Sequence, residues 1–190
     1  MGPYDAWGEI RLDYPPPPRP VLRYKIEDLH GWQTEVIEKE KLRDPCDPEA
    51  RHVVYIWSPH GSVGKTRMAL TLVDQQDRNW LMVCGSVANI SYLITKWYQE
   101  FPKDELHGVI IDVPRCATSR EDNHAWFSVS AVEAICNGYI VNTKYECSAK
   151  RINRPHVVIF ANTDPPYEKL SADRWHVYCL DGEGQINPAL

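Results

Sequence analysis

The chain has 190 residues, 43% of them apolar and 25% charged, with a formal net charge of −5. That length buries one sizeable core plus a small appendage and leaves two full-sized domains crowded, and seven Trp and ten Tyr against only ten Gly argue against a disordered chain. The acidic balance disfavours a protein that coats nucleic acid over its whole surface but leaves room for a local basic channel.

No apolar run approaches the roughly 20 residues a membrane helix needs, so a soluble protein with no membrane partner is expected. Met1-Gly2-Pro3-Tyr4-Asp5 has neither the basic start nor the apolar core of a signal peptide. The six Cys (46, 84, 116, 136, 147 and 179) contain no C-x-x-C pair, which fits reduced thiols in an intracellular setting better than a disulfide framework or a zinc site.

Residues 1–20 contain Pro15-Pro16-Pro17-Pro18 and Pro20 and read as a stub and extended linker. Residues 21–48 form a small helical segment, in which Ile26, Leu29, Trp32, Val36 and Ile37 recur at helical intervals between 26 and 43. Asp44-Pro45 and Asp47-Pro48 end it. From 49 to 190 strand-like runs at 52–57, 81–84, 109–111, 157–161 and 177–180 alternate with helical patterns near 65–76, 87–100 and 125–137. This alternation predicts an α/β domain with a central, mainly parallel sheet covered on both faces.

Between the first of these strands and its helix lies Gly61-Ser62-Val63-Gly64-Lys65-Thr66. A glycine-bearing loop that leaves a strand and enters a helix turns backbone N–H groups and the helix N-terminus onto one point, where phosphate is the natural occupant. Lys65 is expected to reach the β- and γ-phosphates of ATP, and the Thr66 hydroxyl to hold Mg²⁺. The strict pattern G-x-x-x-x-G-K-[ST] asks for Gly at 59, where Pro59 stands, so the match is to the shorter G-x-x-G-K-T.

Such a loop calls for an acid at the end of another strand, and Val109-Ile110-Ile111-Asp112 supplies one. Asp112 is then a Mg²⁺ ligand; its plainer reading is a cap on the turn before Pro114. Asn162, after Val157-Val158-Ile159-Phe160-Ala161, either positions water and contacts the γ-phosphate or serves the turn Thr163-Asp164-Pro165-Pro166.

Taken together, Trp32-Gln33, SPHGSVGKT (58–66), IIDVPR (110–115), NGYIVNTKYE (137–146) and VVIFANTDPPYEKLSADRW (157–175) resemble one family over residues 30–180. It is the C-terminal ATPase part of the replication-initiator (Rep) proteins of circular single-stranded DNA viruses, in their nanovirus and alphasatellite form. The resemblance implies a P-loop NTPase fold, AAA+-like, of the superfamily 3 helicases. It also implies ATP hydrolysis by a homo-oligomer, a hexameric ring around single-stranded DNA, in the host nucleus.

Carried over to this chain, Gly61, Gly64, Lys65 and Thr66 match the Walker A residues, Asp112 the Walker B carboxylate and Asn162 the polar sensor. Two departures stand out. Ser58 replaces the first glycine of the loop, and Asp112 is flanked by Ile111 and Val113 where many relatives carry a second acid; Glu121 and Asp122 are then weak candidates or plain surface charges. The 137–157 stretch corresponds to a pore hairpin, in which Lys144, Lys150, Arg151, Arg154 and His156 face the single acid Glu146. These charges bind DNA, with Tyr139 and Tyr145 stacking on bases, or they form a solvated hairpin. Arg174 is either the finger that reaches a neighbouring subunit's γ-phosphate or an ion-pair partner of Asp173 or Glu168.

The family's nicking domain carries His-x-His and Tyr-x-x-Lys motifs, and neither occurs here, so no endonuclease activity is expected. Gly2-Pro3-Tyr4 resembles the end of that domain, and the 26–43 segment falls where relatives carry an oligomerisation region. Trp32, Val36 and Ile37 then face a neighbour or the ATPase core. Two further functions compete with a DNA-translocating ring: an ATP-dependent oligomerisation or DNA-binding module with little hydrolysis, and a small-molecule P-loop kinase.

Overall fold

Val53–Trp57 (β1) is a run of β-branched and aromatic residues whose first four members are buried, the mark of a strand covered on both faces. In the computed structural model, which describes residues 24–114, 128–145 and 147–187, β1 lies inside a five-stranded, wholly parallel sheet. The proline-rich stub, Arg115, Cys116, Glu121, Asp122, the first residues of the 125–137 pattern and Glu146 lie outside the described residues.

The other strands of the sheet are Trp80–Met82 (β2), Gly108–Asp112 (β3), His156–Ala161 (β6) and Trp175–Cys179 (β7), and their order is β2-β3-β6-β1-β7. Tyr139–Asn142 (β4) and Ser148–Arg151 (β5) form a separate antiparallel hairpin. A 3₁₀ turn at Ile26–Asp28 and the helix Trp32–Lys39 (α1) precede β1, and the helices Lys65–Val73 (α2), Val87–Glu100 (α3) and Val129–Asn137 (α4) are described between the strands.

Alternate strand residues point to opposite faces and so feed two cores. Val53, Tyr55, Ile111 and Ile159 pack with Ile90 and Ile94 of α3 and Val132 and Ile135 of α4. Val54, Ile56, Ile110 and Phe160 pack with Met68 and Leu72 of α2 and with Trp32, Val36 and Ile37 of α1. The apolar face of α1 is thus taken up by the chain's own core.

Strand limits differ from the sequence pattern where a neighbour, not the run itself, decides pairing. The strand expected at 177–180 begins at Trp175, because Trp175 and His176 pair with Val53 and Val54. Likewise the strand expected at 81–84 ends at Met82, opposite Ile110. At the start of β3, Gly108 sits under the Trp80 ring, and a Cβ there would lie 2.1 Å from Trp80 Cζ3. Gly108→Ala is therefore expected to destabilise the fold by about 1–3 kcal/mol through overpacking, read from the midpoint of urea denaturation.

Candidate functional site

In this sheet β6 lies between β1 and β3, so the segments after Trp57, Ala161 and Asp112 emerge side by side. Trp57 is level with Ala161, and Asp112 with Phe160. This is the carboxyl end of the strands, where connections leave β1 and β6 in opposite directions and open α/β sheets place their ligands. A cleft of about 450 Å³ opens there, walled by residues 61–67, 112–114 and Asn162.

The loop from β1 to α2 has its left-handed backbone at Ser62 (φ +61°) and Gly64 (φ +90°). Ser58 is not among the positive-φ positions. It is fully buried, its hydroxyl accepts the His60 N–H (3.1 Å) and its carbonyl accepts a bond from Lys65 Nζ (3.2 Å). The glycine absent from position 58 is thus not needed for backbone freedom.

At α2 the cap residue Gly64 makes no side-chain cap bond, and the first turn carries no acid. The helix N-terminus therefore keeps its positive end and its N–H donors open to an anion.

Two side chains that the sequence pattern did not assign to the site hold the loop from behind. Trp32 Nε1 donates to the Val63 carbonyl (2.8 Å), and Gln33 Nε2 donates to the Gly64 carbonyl (2.9 Å). Arg67 also lines the cleft. Its guanidinium donates to the Asp28 carbonyl (3.0 Å) and lies 5.3 Å from the centre of the Tyr24 ring. Only the pairing of Trp32-Gln33 with the loop motif hinted at the first contact; nothing in the pattern signalled Arg67.

Thr66 Oγ1 donates to Asp112 Oδ2 at 3.1 Å. Two oxygens bound side by side to an octahedral Mg²⁺ at 2.0–2.1 Å stand about 3 Å apart, so this pair fits that ion as found. Burial raises the Asp112 pKa above its ordinary value, and the Thr66 hydroxyl and the Lys65 charge pull it partly back. Asn162 is fixed by its amide, which donates to the Val113 carbonyl (3.0 Å). Lys65, Thr66, Asp112 and Asn162 therefore converge on one cleft with residues 61–64.

The remaining candidates lie elsewhere. Arg174 immediately precedes β7, at the amino-terminal end of the sheet, and its Nη1 is 3.5 Å from Glu133 Oε1 on α4. On the β4–β5 hairpin Tyr139 and Arg151 are paired across the strands and exposed. Lys144 instead bonds to Asn89, Lys150 Nζ lies 4.7 Å from the centre of the Tyr98 ring, and Arg154 bonds to the Pro48 carbonyl. Tyr145 projects at 86% exposure and meets Tyr92 edge-on at 5.3 Å.

His156 departs from the expected basic patch. It is buried in β6, bonded to the Asp44 carbonyl (2.9 Å), and desolvation lowers its pKa.

No family model matches the chain. Among curated proteins it is similar to Para-Rep C10 of Milk vetch dwarf C10 alphasatellite, 31% identical over 155 residues, covering 80% of this chain and 49% of that protein. Para-Rep C7 of Faba bean necrotic yellows C7 alphasatellite is 31% identical over 149 residues, 77% of this chain and 47% of that protein. Para-Rep C6 of Subterranean clover stunt C6 alphasatellite gives 31% over 149 residues, 77% and 46%. The chain spans about half the length of these curated relatives.

The raised Asp112 carboxyl has a signed consequence. The folded chain binds this proton more tightly than the unfolded one, so the ionised carboxylate opposes folding, and stability from this group falls as pH rises through the unfolded value. Asp112→Asn is expected to stabilise the ligand-free protein at pH 7, with the advantage mostly lost as pH falls through about 4, where the unfolded carboxyl takes up its proton as well. Urea denaturation of both proteins at pH 7 and 3.5 checks this.

Proposed function

The chain is a member of the Rep family of circular single-stranded DNA viruses and their alphasatellites, and from that premise we propose that it is a P-loop ATPase, an AAA+-like superfamily 3 motor that works on DNA during replication of such a genome. The observation that carries the reading is the convergence of the 61–66 loop, the Thr66–Asp112 pair and Asn162 at three adjacent strand tips. Nothing in that convergence is local in sequence except the loop.

In this reading the N–H groups of the loop and of the first turn of α2 cradle the ATP phosphates. Lys65 exchanges the Ser58 carbonyl for the β- and γ-phosphate oxygens. Thr66 and Asp112 hold Mg²⁺, which when bound neutralises charge on those oxygens. Asn162, with its amide at the tip of a buried strand, orients the attacking water. Arg174, at the amino-terminal end of the sheet and remote from its own chain's loop, serves in this reading a neighbouring subunit's phosphates.

The ring itself, six copies around single-stranded DNA, with Arg151, Lys144, Lys150 and Arg154 on backbone phosphates and Tyr145 against a base, belongs to the same proposal, as does work in the host nucleus.

One observation favours a slower variant of this function. The residues flanking Asp112, Ile111 and Val113, are both buried and apolar, so no acid adjoins it on the strand. An ATP-dependent assembly module with little hydrolysis follows from that, and turnover measured beside nucleotide-induced assembly separates the two.

For the motor, Lys65→Ala is expected to lower DNA-stimulated ATP turnover by about 10²-fold or more, the scale of losing one charge-stabilising donor. Undiminished turnover would end the proposal. Arg174→Ala is expected to be inactive alone and to recover part of its turnover when mixed with Lys65→Ala protein. Mixed rings pair the intact phosphate site of one subunit with the intact arginine of the next; a purely structural Arg174–Glu133 contact gives no such recovery.

A further inference from the structure

At the sheet end remote from the 58–66 loop, three side chains from distant parts of the chain meet. Glu40 caps the C-terminus of α1, His52 directly precedes β1, and His176 is the second residue of β7. Parallel pairing of β1 with β7 brings the two imidazoles into a stack, centroids 4.2 Å apart and planes 11° from parallel. Glu40 Oε2 lies 2.7 Å from His176 Nδ1 and 3.6 Å from His52 Nε2. One ligand atom from each of the three lies within 4.8 Å of the other two.

We propose that Glu40, His52 and His176 form a binding site for a borderline divalent transition-metal ion, Zn²⁺ being the type case. Ligands held 2.0–2.2 Å from a tetrahedral zinc stand about 3.3–3.5 Å apart and a metal lies in the plane of each imidazole that binds it, so the three atoms reach that arrangement when they shift by about 1 Å and one ring turns out of the stack. The Glu40 side chain is 5% exposed, His52 24% and His176 42%, so the carboxylate forms the floor and the imidazoles the mouth. Solvent supplies the fourth position.

The Tyr178 hydroxyl donates to Glu40 Oε1, which fixes the carboxylate with Oε2 turned to the imidazoles. An outer hydrogen bond of this kind orients a metal-binding carboxylate. Two imidazoles with one carboxylate suit zinc, cobalt, nickel or copper, whereas the all-oxygen Thr66–Asp112 pair suits Mg²⁺. The two sites are therefore chemically separable, and this one does not depend on the nucleotide reading.

Its effect is mechanical. An ion here ties the C-terminal end of α1 to β1 and β7, while the other end of the same helix carries Trp32 and Gln33, which hold the loop.

The test uses the full chain, stripped with a chelator and titrated with Co²⁺ in the visible. One equivalent is expected to develop tetrahedral ligand-field bands that Zn²⁺ displaces, and Zn²⁺ is expected to raise the unfolding midpoint. His176→Gln, a partly exposed position, removes the bands, and Tyr178→Phe weakens binding about 10- to 100-fold. Asp112→Asn leaves them unchanged, which separates this site from the one beside Thr66. Zinc X-ray absorption on the wild-type chain decides the matter without any variant: two imidazoles with oxygen support the site, and sulfur ligation overturns it. The proposal also fails when the wild type gives no saturable Co²⁺ bands, or when the bands survive His176→Gln.

Discussion

Strand β6 is buried at all six residues and bonded on both edges, to β1 and to β3. Buried backbone N–H and C=O groups must be paired, so neither ladder can open without a large cost. The two ladders lock the tips of three neighbouring strands to one level, with Asp112 opposite Phe160 and Trp57 opposite Ala161. A slip of one residue would send Phe160 to the α3 face and Ile159 to the α2 face, undoing both cores at once. Packing deep in the sheet thereby fixes the relation between Asp112, Asn162 and the loop, although none of these residues belongs to the core.

The loop depends on a second constraint, the planarity of the peptide bond. N–H and C=O of one peptide point in opposite directions. With the Val63 carbonyl held by Trp32 and the Gly64 carbonyl by Gln33, the N–H groups of Gly64 and Lys65 are turned the other way, toward the cleft. Pre-aimed donors need no reorganisation when an anion arrives, which is the condition for strong electrostatic stabilisation. The raised carboxyl of Asp112 has a cost of its own: a partly buried carboxylate weakens the fold that holds it.

What was legible in the sequence follows from how local each signal is. The loop at 61–66 and the strand tips bearing Asp112 and Asn162 are written in consecutive residues, and the strand runs that carry them correspond to β1, β3 and β6. Ser58 looked like a defect because the pattern counts glycines. The backbone needs its left-handed residues at Ser62 and Gly64 instead. Contacts made across 31 residues, Trp32 to Val63 and Gln33 to Gly64, carry no spacing rule. The charge run at 144–156 was legible as composition only: it said nothing of His156 lying inside β6, or of Lys150 lying along Tyr98. Glu40, His52 and His176 were illegible for the same reason, being gathered by three elements and not by a motif.

Helix α1 connects these features. Its eight residues span about 12 Å at 1.5 Å per residue, with Trp32 and Gln33 at one end and Glu40 just past the other. Val36 and Ile37, buried between them, hold the helix on the α2 face of the sheet. Trp32 and Gln33, which lie outside the cleft, thus hold the loop that walls it, from a helix that the chain's own core keeps in place.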